Sequence, residues 1–304
     1  MASTAELRSI LVATDFSANA EAALARGAEI ARLHGARLVL CHALVPALLP
    51  PPPEIVPLPP EVYEELAARV RERLEKRCSS LRSEGLSAEY ELAVGPPAET
   101  VLAAAMRAGA GLVVAGTRGL TGWRHLILGS TAARLVRDSH CPVLTVHPGD
   151  TARPRRIATV LVPTDFSPEA SLAAETAAKL LGPQRDTTRL VLLHVYQVPA
   201  ELLTHLPPRV VLEAIESAKE KAGREIAQLA KRLGRDGLEI ETRLAEGYPP
   251  ETILEHARQL PADLIAMGTQ GLSGLKRLVF GSTAERVLPL ASCPVLTVHR
   301  TPSS

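Results

Sequence analysis

The sequence has few aromatic residues, no excess of either charge, no paired cysteines and no long apolar run. Phe, Trp and Tyr make up 3% of the 304 residues while 46% are hydrophobic, so a core must be built from Leu, Val, Ala and Ile. That hydrophobic fraction supports a packed globular chain rather than a disordered one, long enough for two domains of ordinary size. The formal net charge of +1 offers no basic face, which argues against nucleic acid as a partner. Cys41, Cys78, Cys141 and Cys293 form no C-x-x-C pair and no metal-ligand spacing, which leaves buried reduced thiols as the reading. Met1-Ala2-Ser3-Thr4-Ala5-Glu6 lacks the charged-then-apolar design of a signal peptide, and the longest uncharged apolar stretch, Leu38 to Pro53, is broken by prolines. A cytoplasmic protein without membrane contact is therefore expected. Two phosphate-binding signatures are also missing: G-x-x-x-x-G-K-[ST], and G-x-G-x-x-G after the first strand.

What is present is one unit written twice. Ile10-Leu11-Val12-Ala13-Thr14-Asp15-Phe16-Ser17 answers Val160-Leu161-Val162-Pro163-Thr164-Asp165-Phe166-Ser167. Gly95-Pro96-Pro97-Ala98-Glu99-Thr100 answers Gly247-Tyr248-Pro249-Pro250-Glu251-Thr252, and Cys141-Pro142-Val143-Leu144-Thr145-Val146-His147 answers Cys293-Pro294-Val295-Leu296-Thr297-Val298-His299. The offset is 150 at Asp15 and Asp165 and 152 from His42 and His194 onward, which implies one small insertion between the first helix and the second strand. Two domains are expected, 1–149 and 155–304, joined by the short polar linker around Pro148 to Pro154.

Within the first copy, residues 8–14 are a continuous apolar run, the mark of a strand buried on both faces. Ser17 caps a helix over 18–34 that stops at Gly35, and Arg37–Ala43 is a second strand. Pro46 to Pro60 reads as a connection that is neither strand nor helix interior. A charged helix over Glu61–Glu84, a strand Ser87–Val94, a helix opened by Pro97, a strand Leu112–Ala115, a helix over 130–138 and a strand Val143–His147 complete the unit. Strands alternating with helices imply a parallel sheet covered on both faces. With the first and fourth strands as neighbours the order is 3-2-1-4-5, and ligands bind where that order reverses.

The chemistry-bearing pattern lies at that switch point. Gly116-Thr117-Arg118-Gly119, nine residues, then Gly129-Ser130-Thr131 returns as Gly268-Thr269-Gln270-Gly271, nine residues, then Gly281-Ser282-Thr283. A strand feeding a glycine loop that opens a helix aims unpaired N–H groups at an anion. Arg118, Arg124 and His125, and Lys276 and Arg277, are candidate cations for it. Asp15 and Asp165 suit ribose hydroxyls, a base amine or an indirect contact through a divalent metal. Simpler roles are open to the same residues: turn glycines, Asx-turn aspartates, and Ser130 and Ser282 as helix caps. His42 and His194 each stand alone at a strand end and read as structural, and Trp123 as an apolar anchor.

At these residues the chain resembles the universal stress protein family, whose pattern is G-x-x-G, nine residues, then G-[ST], after an early strand ending in aspartate. The resemblance covers nearly the whole chain as a tandem two-domain member. It implies two tandem five-stranded parallel α/β sandwiches, Rossmann-like and adenine nucleotide alpha hydrolase-like. It also implies a pocket for ATP, or AMP or ADP, with Mg²⁺ as a companion. By position the first pocket would use Ala13, Asp15, Ala43, Ala115, Gly116, Gly119, Gly129, Ser130 and Thr131. The second would use Pro163, Asp165, Val195, Met267, Gly268, Gly271, Gly281, Ser282 and Thr283. Family members that bind ATP often carry proline two residues before the aspartate; Pro163 matches and Ala13 does not, so the second site is expected to be the better one. The terminal strands Val143–His147 and Val295–His299 are expected sheet edges, and the family's use of this strand implies a pseudo-dimer of the two halves and a homodimer through edge strands. A stress-response sensor or regulator without catalysis is the leading expectation. A slow Mg-dependent ATPase and a nucleotide-free scaffold are the alternatives.

Overall fold

The computed structural model describes residues 7–45, 47–48, 56–57, 59–117, 119, 128–147, 157–182, 188–199, 204–234, 238–269 and 281–299. The chain divides into two compact units, Met1–Pro154 and Arg155–Ser304. In the first, apolar runs form β1 (Ser9–Ala13), β2 (Arg37–Leu44), β5 (Ala88–Val94), β6 (Leu112–Gly116) and β7 (Val143–Val146). All pair in parallel in the order β5-β2-β1-β6-β7, which is 3-2-1-4-5 when these five are counted along the chain. Ile10, Leu11 and Val12 are fully buried, as β-branched runs covered on both faces require.

Four helices cover this sheet: α1 (Ala18–His34), α2 (Pro60–Ser83), α3 (Pro97–Arg107) and α4 (Ser130–Asp138). Helix α1 packs on β1 and β6, α2 on β5, and α3 on β2 and α4. Right-handed crossovers between parallel strands put α1 and α2 on one face and α3 and α4 on the other. The chain reverses its direction across the sheet between β1 and β6, and a crevice opens there at the strands' carboxyl ends.

The second unit repeats the plan. Its strands are β8 (Thr159–Pro163), β9 (Arg189–Tyr196), β10 (Glu239–Glu246), β11 (Leu264–Gly268) and β12 (Val295–Val298). Within the unit they run β10-β9-β8-β11-β12, all parallel. Its helices are α5 (Pro168–Leu180), α6 (Pro208–Leu233), α7 (Pro249–Gln259) and α8 (Ser282–Leu290).

Two expectations are corrected. Inside the proline-rich connection, β3 (Ala47–Leu48) and β4 (Val56–Pro57) form a two-stranded antiparallel ribbon. Proline at the last position of a two-residue ribbon has no long ladder to interrupt, so its missing N–H costs little there. Pro60 belongs to α2, at the N1 position where the N–H is unpaired anyway. The offset between copies is also not constant after the second strand. Helices α2 and α6 start 148 residues apart, at Pro60 and Pro208, because the connection before α6 is the shorter one. Of the connection expected to carry the small insertion, between the first helix and the second strand, residues 183–187 lie outside the described residues.

Candidate functional site

One wall of each crevice is the turn that follows the first strand. Thr14 N–H donates to Cys41 O at 2.9 Å and Thr164 N–H to Leu193 O at 2.8 Å, so the backbone stays tied to the second strand one residue past β1 and β8. Next, Ser17 N–H donates to Asp15 Oδ1 at 3.0 Å, and Ser167 N–H to Asp165 Oδ1 at the same distance. These are Asx-turn bonds, and they fix the carboxylates. Phe16 and Phe166 sit in the left-handed region, with φ of 62° and 65°. A bulky side chain there costs about 1–3 kcal/mol, and such strain persists only where the surroundings hold it.

Here a histidine provides that hold. Phe16 packs on the ring of His42 at 5.0 Å between centroids, and Phe166 stacks on His194 at 4.4 Å. Nδ1 of each histidine lies 2.8 Å from the carbonyl oxygen of Thr14 or Thr164. A carbonyl only accepts, so Nδ1 carries the hydrogen in both. Burial lowers the pKa of His42, opposed by that bond and by Asp15 and assisted by Arg73. Arg73 lies over the Phe16 ring, 4.0 Å from its centroid. The paired histidines, each alone at its strand end in the sequence, are therefore clamps on the aspartate turn.

The opposite wall starts at the ends of β6 and β11. Thr117 N–H donates to Val146 O, and Gly129 N–H returns to Thr117 O, both at 2.9 Å. In the second unit Thr269 N–H donates to Val298 O at 2.9 Å and Gly281 N–H to Thr269 O at 2.8 Å. The loop is thus closed at its neck. A Cβ on Gly116 would lie 2.9 Å from Asn19 Cβ and 3.1 Å from Asn19's carbonyl carbon; on Gly268 it would lie 2.9 Å from Glu169 Cβ. These two glycines are required by close packing of the first turn of α1 and α5 against the strand end. A Cβ on Gly119 would lie 2.6 Å from Asp15 Oδ2, so the loop does pass beside the aspartate.

Helices α4 and α8 then start at the crevice. Their N-caps are Gly129 and Gly281, with no side-chain cap bond. Ser130 and Ser282 are the first helical residues rather than caps, which corrects that simpler reading. The contrast with α1 and α5 is direct: Ser17 Oγ accepts from Ala20 N–H at 3.2 Å and Ser167 Oγ from Ala170 N–H at 3.1 Å. Helices α3 and α7 also lack a side-chain cap but have proline in their first turn, which removes donors. Among the described residues no side chain caps the first-turn N–H groups of α4 and α8, which suits them to an external acceptor.

In the second unit these walls enclose a cavity of ≈ 290 Å³, near the lower end of the range for small-molecule sites, about 300–1,000 Å³. Pro163, Asp165, Val195, Met267, Gly268, Gly281, Ser282 and Thr283 all line it. Leu193, Ile253 and Pro249 add apolar surface, and Thr164 and Thr269 add hydroxyls, none of which the motif singles out. Repetition pointed to several of them: Thr117 and Thr269 follow the same glycine, and Pro97 and Pro249 share the Pro-x-Glu-Thr stretch. In the first unit Ala13, Ala43, Ala115, Gly116, Ser130 and Thr131 stand at the equivalent places on β1, β2, β6 and α4, Asp15 in the turn after β1 and Gly129 at the N-cap of α4. Gly271, Arg118, Trp123, Arg124, His125, Lys276 and Arg277 lie outside the described residues. Among the described residues no three His, Cys, Asp or Glu side chains cluster as a metal site, and no helix is long and apolar enough to cross a membrane.

Comparison with known proteins agrees with this architecture. The family model described as "Universal stress protein family" matches residues 6–147 and again 157–299. A universal stress protein of Mycolicibacterium smegmatis is 30% identical over 299 residues, covering 95% of this chain and 96% of its own length. One from Thermus aquaticus is 39% identical over 141 residues, 46% of this chain and 98% of that protein. The crystal structure of a universal stress protein from Archaeoglobus fulgidus shares the fold with a TM-score of 0.70 at 20% identity, covering 97% of this chain and all of that one. The chain belongs to the universal stress protein family, with the family's domain present twice.

Proposed function

We propose that each half binds an adenine nucleotide, ATP foremost, in the crevice between its first and fourth strands, and that the protein acts as a non-enzymatic sensor or regulator in the stress response. The cavity of the second unit carries this reading: its lining combines a fixed carboxylate, Asp165, a helix N-terminus without a side-chain cap bearing Ser282 and Thr283, and apolar side chains from Leu193, Val195, Ile253 and Met267. A flat apolar base suits the walls, Asp165 suits a ribose hydroxyl or base amine, and the α8 N-terminus suits phosphate. In the first unit Asp15, Ser130 and Thr131 would play the same parts, with Gly119 leaving room beside the carboxylate. Mg²⁺ would neutralise the phosphates and reach the aspartate through water.

A cytoplasmic location belongs to the same proposal, and four buried free thiols are in keeping with a reducing compartment. So does a pairing of the halves, and of whole chains, through the terminal strands. Heating the purified protein and identifying the released small molecule tests the reading. Adenine nucleotide in the supernatant supports it, and a protein that neither carries nor takes up nucleotide refutes it. Steady ADP release from Mg-ATP that is lost in Asp165→Ala would instead favour the ATPase alternative.

A further inference from the structure

The two halves differ where the helix after the glycine loop meets its neighbour. In the first, Arg134 of α4 is ion-paired with Glu99 of α3 and lies 3.7 Å from Asp138 one turn on. In the second, its counterpart Arg286 has Leu290 where the first half has Asp138, and Tyr248 where it has Pro96. The Arg286 guanidinium carbon sits 5.3 Å from the centroid of the Tyr248 ring. Glu251 keeps the place of Glu99, yet among the described residues no carboxylate pairs with Arg286.

Arg286 does not line the cavity itself, but it follows residues that do. It is one turn on from Ser282 and Thr283, and Tyr248 directly precedes Pro249, all three of those neighbours being lining residues. Helical side chains lean toward the helix N-terminus, so Arg286 is carried toward the end where the unpaired N–H groups lie. A cation over an exposed ring is weakly held and pays no desolvation to leave it. A guanidinium already ion-paired with a carboxylate, as Arg134 is with Glu99, is less available to a ligand. Phosphate is the ligand chemistry that a planar five-donor cation beside an open helix N-terminus recognises.

We propose that Arg286, parked on Tyr248, is the phosphate-reaching cation of the second cavity and makes this half selective for nucleotides carrying a phosphate tail over the bare nucleoside. The first half, with Arg134 ion-paired to Glu99, lacks this source of selectivity. The inference rests on the nucleotide reading above.

Calorimetric titration of the full chain at low salt with ATP, and separately with adenosine, tests it. Arg286→Gln is expected to weaken ATP at one site by about five- to tenfold, the scale of one solvent-exposed charge-assisted contact, while adenosine affinity stays unchanged. Arg134→Gln is expected to alter neither ligand, and Tyr248→Leu to keep the preference for ATP. Equal weakening of ATP and adenosine in Arg286→Gln, or ATP binding untouched by it, would overturn the inference while leaving the nucleotide reading intact. A wild-type protein that binds neither ligand would remove the reading itself, and the inference with it.

Discussion

Gly268→Ala separates two roles that a loop glycine can have. If Gly268 served mainly to let an anion approach, an added methyl would weaken ligand binding and leave the fold alone. The structure says otherwise: the methyl would sit 2.9 Å from Glu169 Cβ, 3.1 Å from Glu169's carbonyl carbon and 3.3 Å from Ala170 N. Two of these are backbone atoms of α5's first turn and cannot rotate aside. Overpacking of this kind costs about 1–3 kcal/mol, and stiffening of the unfolded chain by alanine returns about 0.4–1 kcal/mol. A net loss of between about 0 and 2.6 kcal/mol remains, equivalent to a fall in Tm of up to about 10 °C for a unit of this size. Scanning calorimetry of the ligand-free protein reads it. The control is Gly119→Ala, whose methyl would meet, among the described residues, the Asp15 carboxylate rather than backbone; its Tm should fall less than that of Gly268→Ala. A Gly268→Ala protein melting above wild type would refute this close packing.

Other outcomes follow from the same geometry. Ser167→Ala removes the cap bond to Ala170 N–H and should cost about 1 kcal/mol, whereas Ser282→Ala, with no cap bond to lose, should leave stability within about 0.5 kcal/mol and reduce nucleotide affinity. Paired chemical denaturation curves distinguish them. Burial holds the His42 pKa below its usual value of 6.5, so the unfolded chain takes up the proton more readily than the folded one. His42 therefore adds stability above the unfolded value, lost as pH falls through its lower folded pKa. In His42→Asn the decline of Tm from pH 7 to pH 5 should be shallower, and an unchanged slope would contradict this. Burial pushes the Cys41 thiol up to about 12 and Cys78 to about 11, and all four thiols are buried. A colorimetric disulfide reagent at pH 8 should find them only after unfolding.

Much of this architecture was legible because the chain states it twice. Continuous runs such as Ile10-Leu11-Val12 and Val160-Leu161-Val162 admit little besides buried parallel strands, and Ser17 and Gly35 bracket a helix by their own chemistry. The duplicated glycines located the crevice, but spacing alone gave no means of dividing their roles. Gly116 and Gly268 answer to a helix that is distant in sequence, while Gly119 answers to a carboxylate, and only the packed structure tells them apart. Phe16 was invisible for a similar reason: nothing local predicts a left-handed phenylalanine, since His42 and Arg73, which hold it, come from β2 and α2. Serine is the commoner N-cap residue, which left a cap role open for Ser130 and Ser282, yet Gly129 and Gly281 take that position with no side-chain cap bond. The ribbon of Ala47–Leu48 and Val56–Pro57 lies in a segment whose prolines argue against any strand, and a two-residue pairing is too short to leave a pattern.

The central claim is that the crevice between the first and fourth strands holds an adenine nucleotide. A crystal structure of the full chain grown with a non-hydrolysable ATP analogue and Mg²⁺ tests it most directly. Ligand density is expected in the second unit, with the ribose or base at Asp165 and the phosphates at the first turn of α8 beside Ser282 and Thr283. Nucleotide bound elsewhere on the surface with this cavity empty would contradict it.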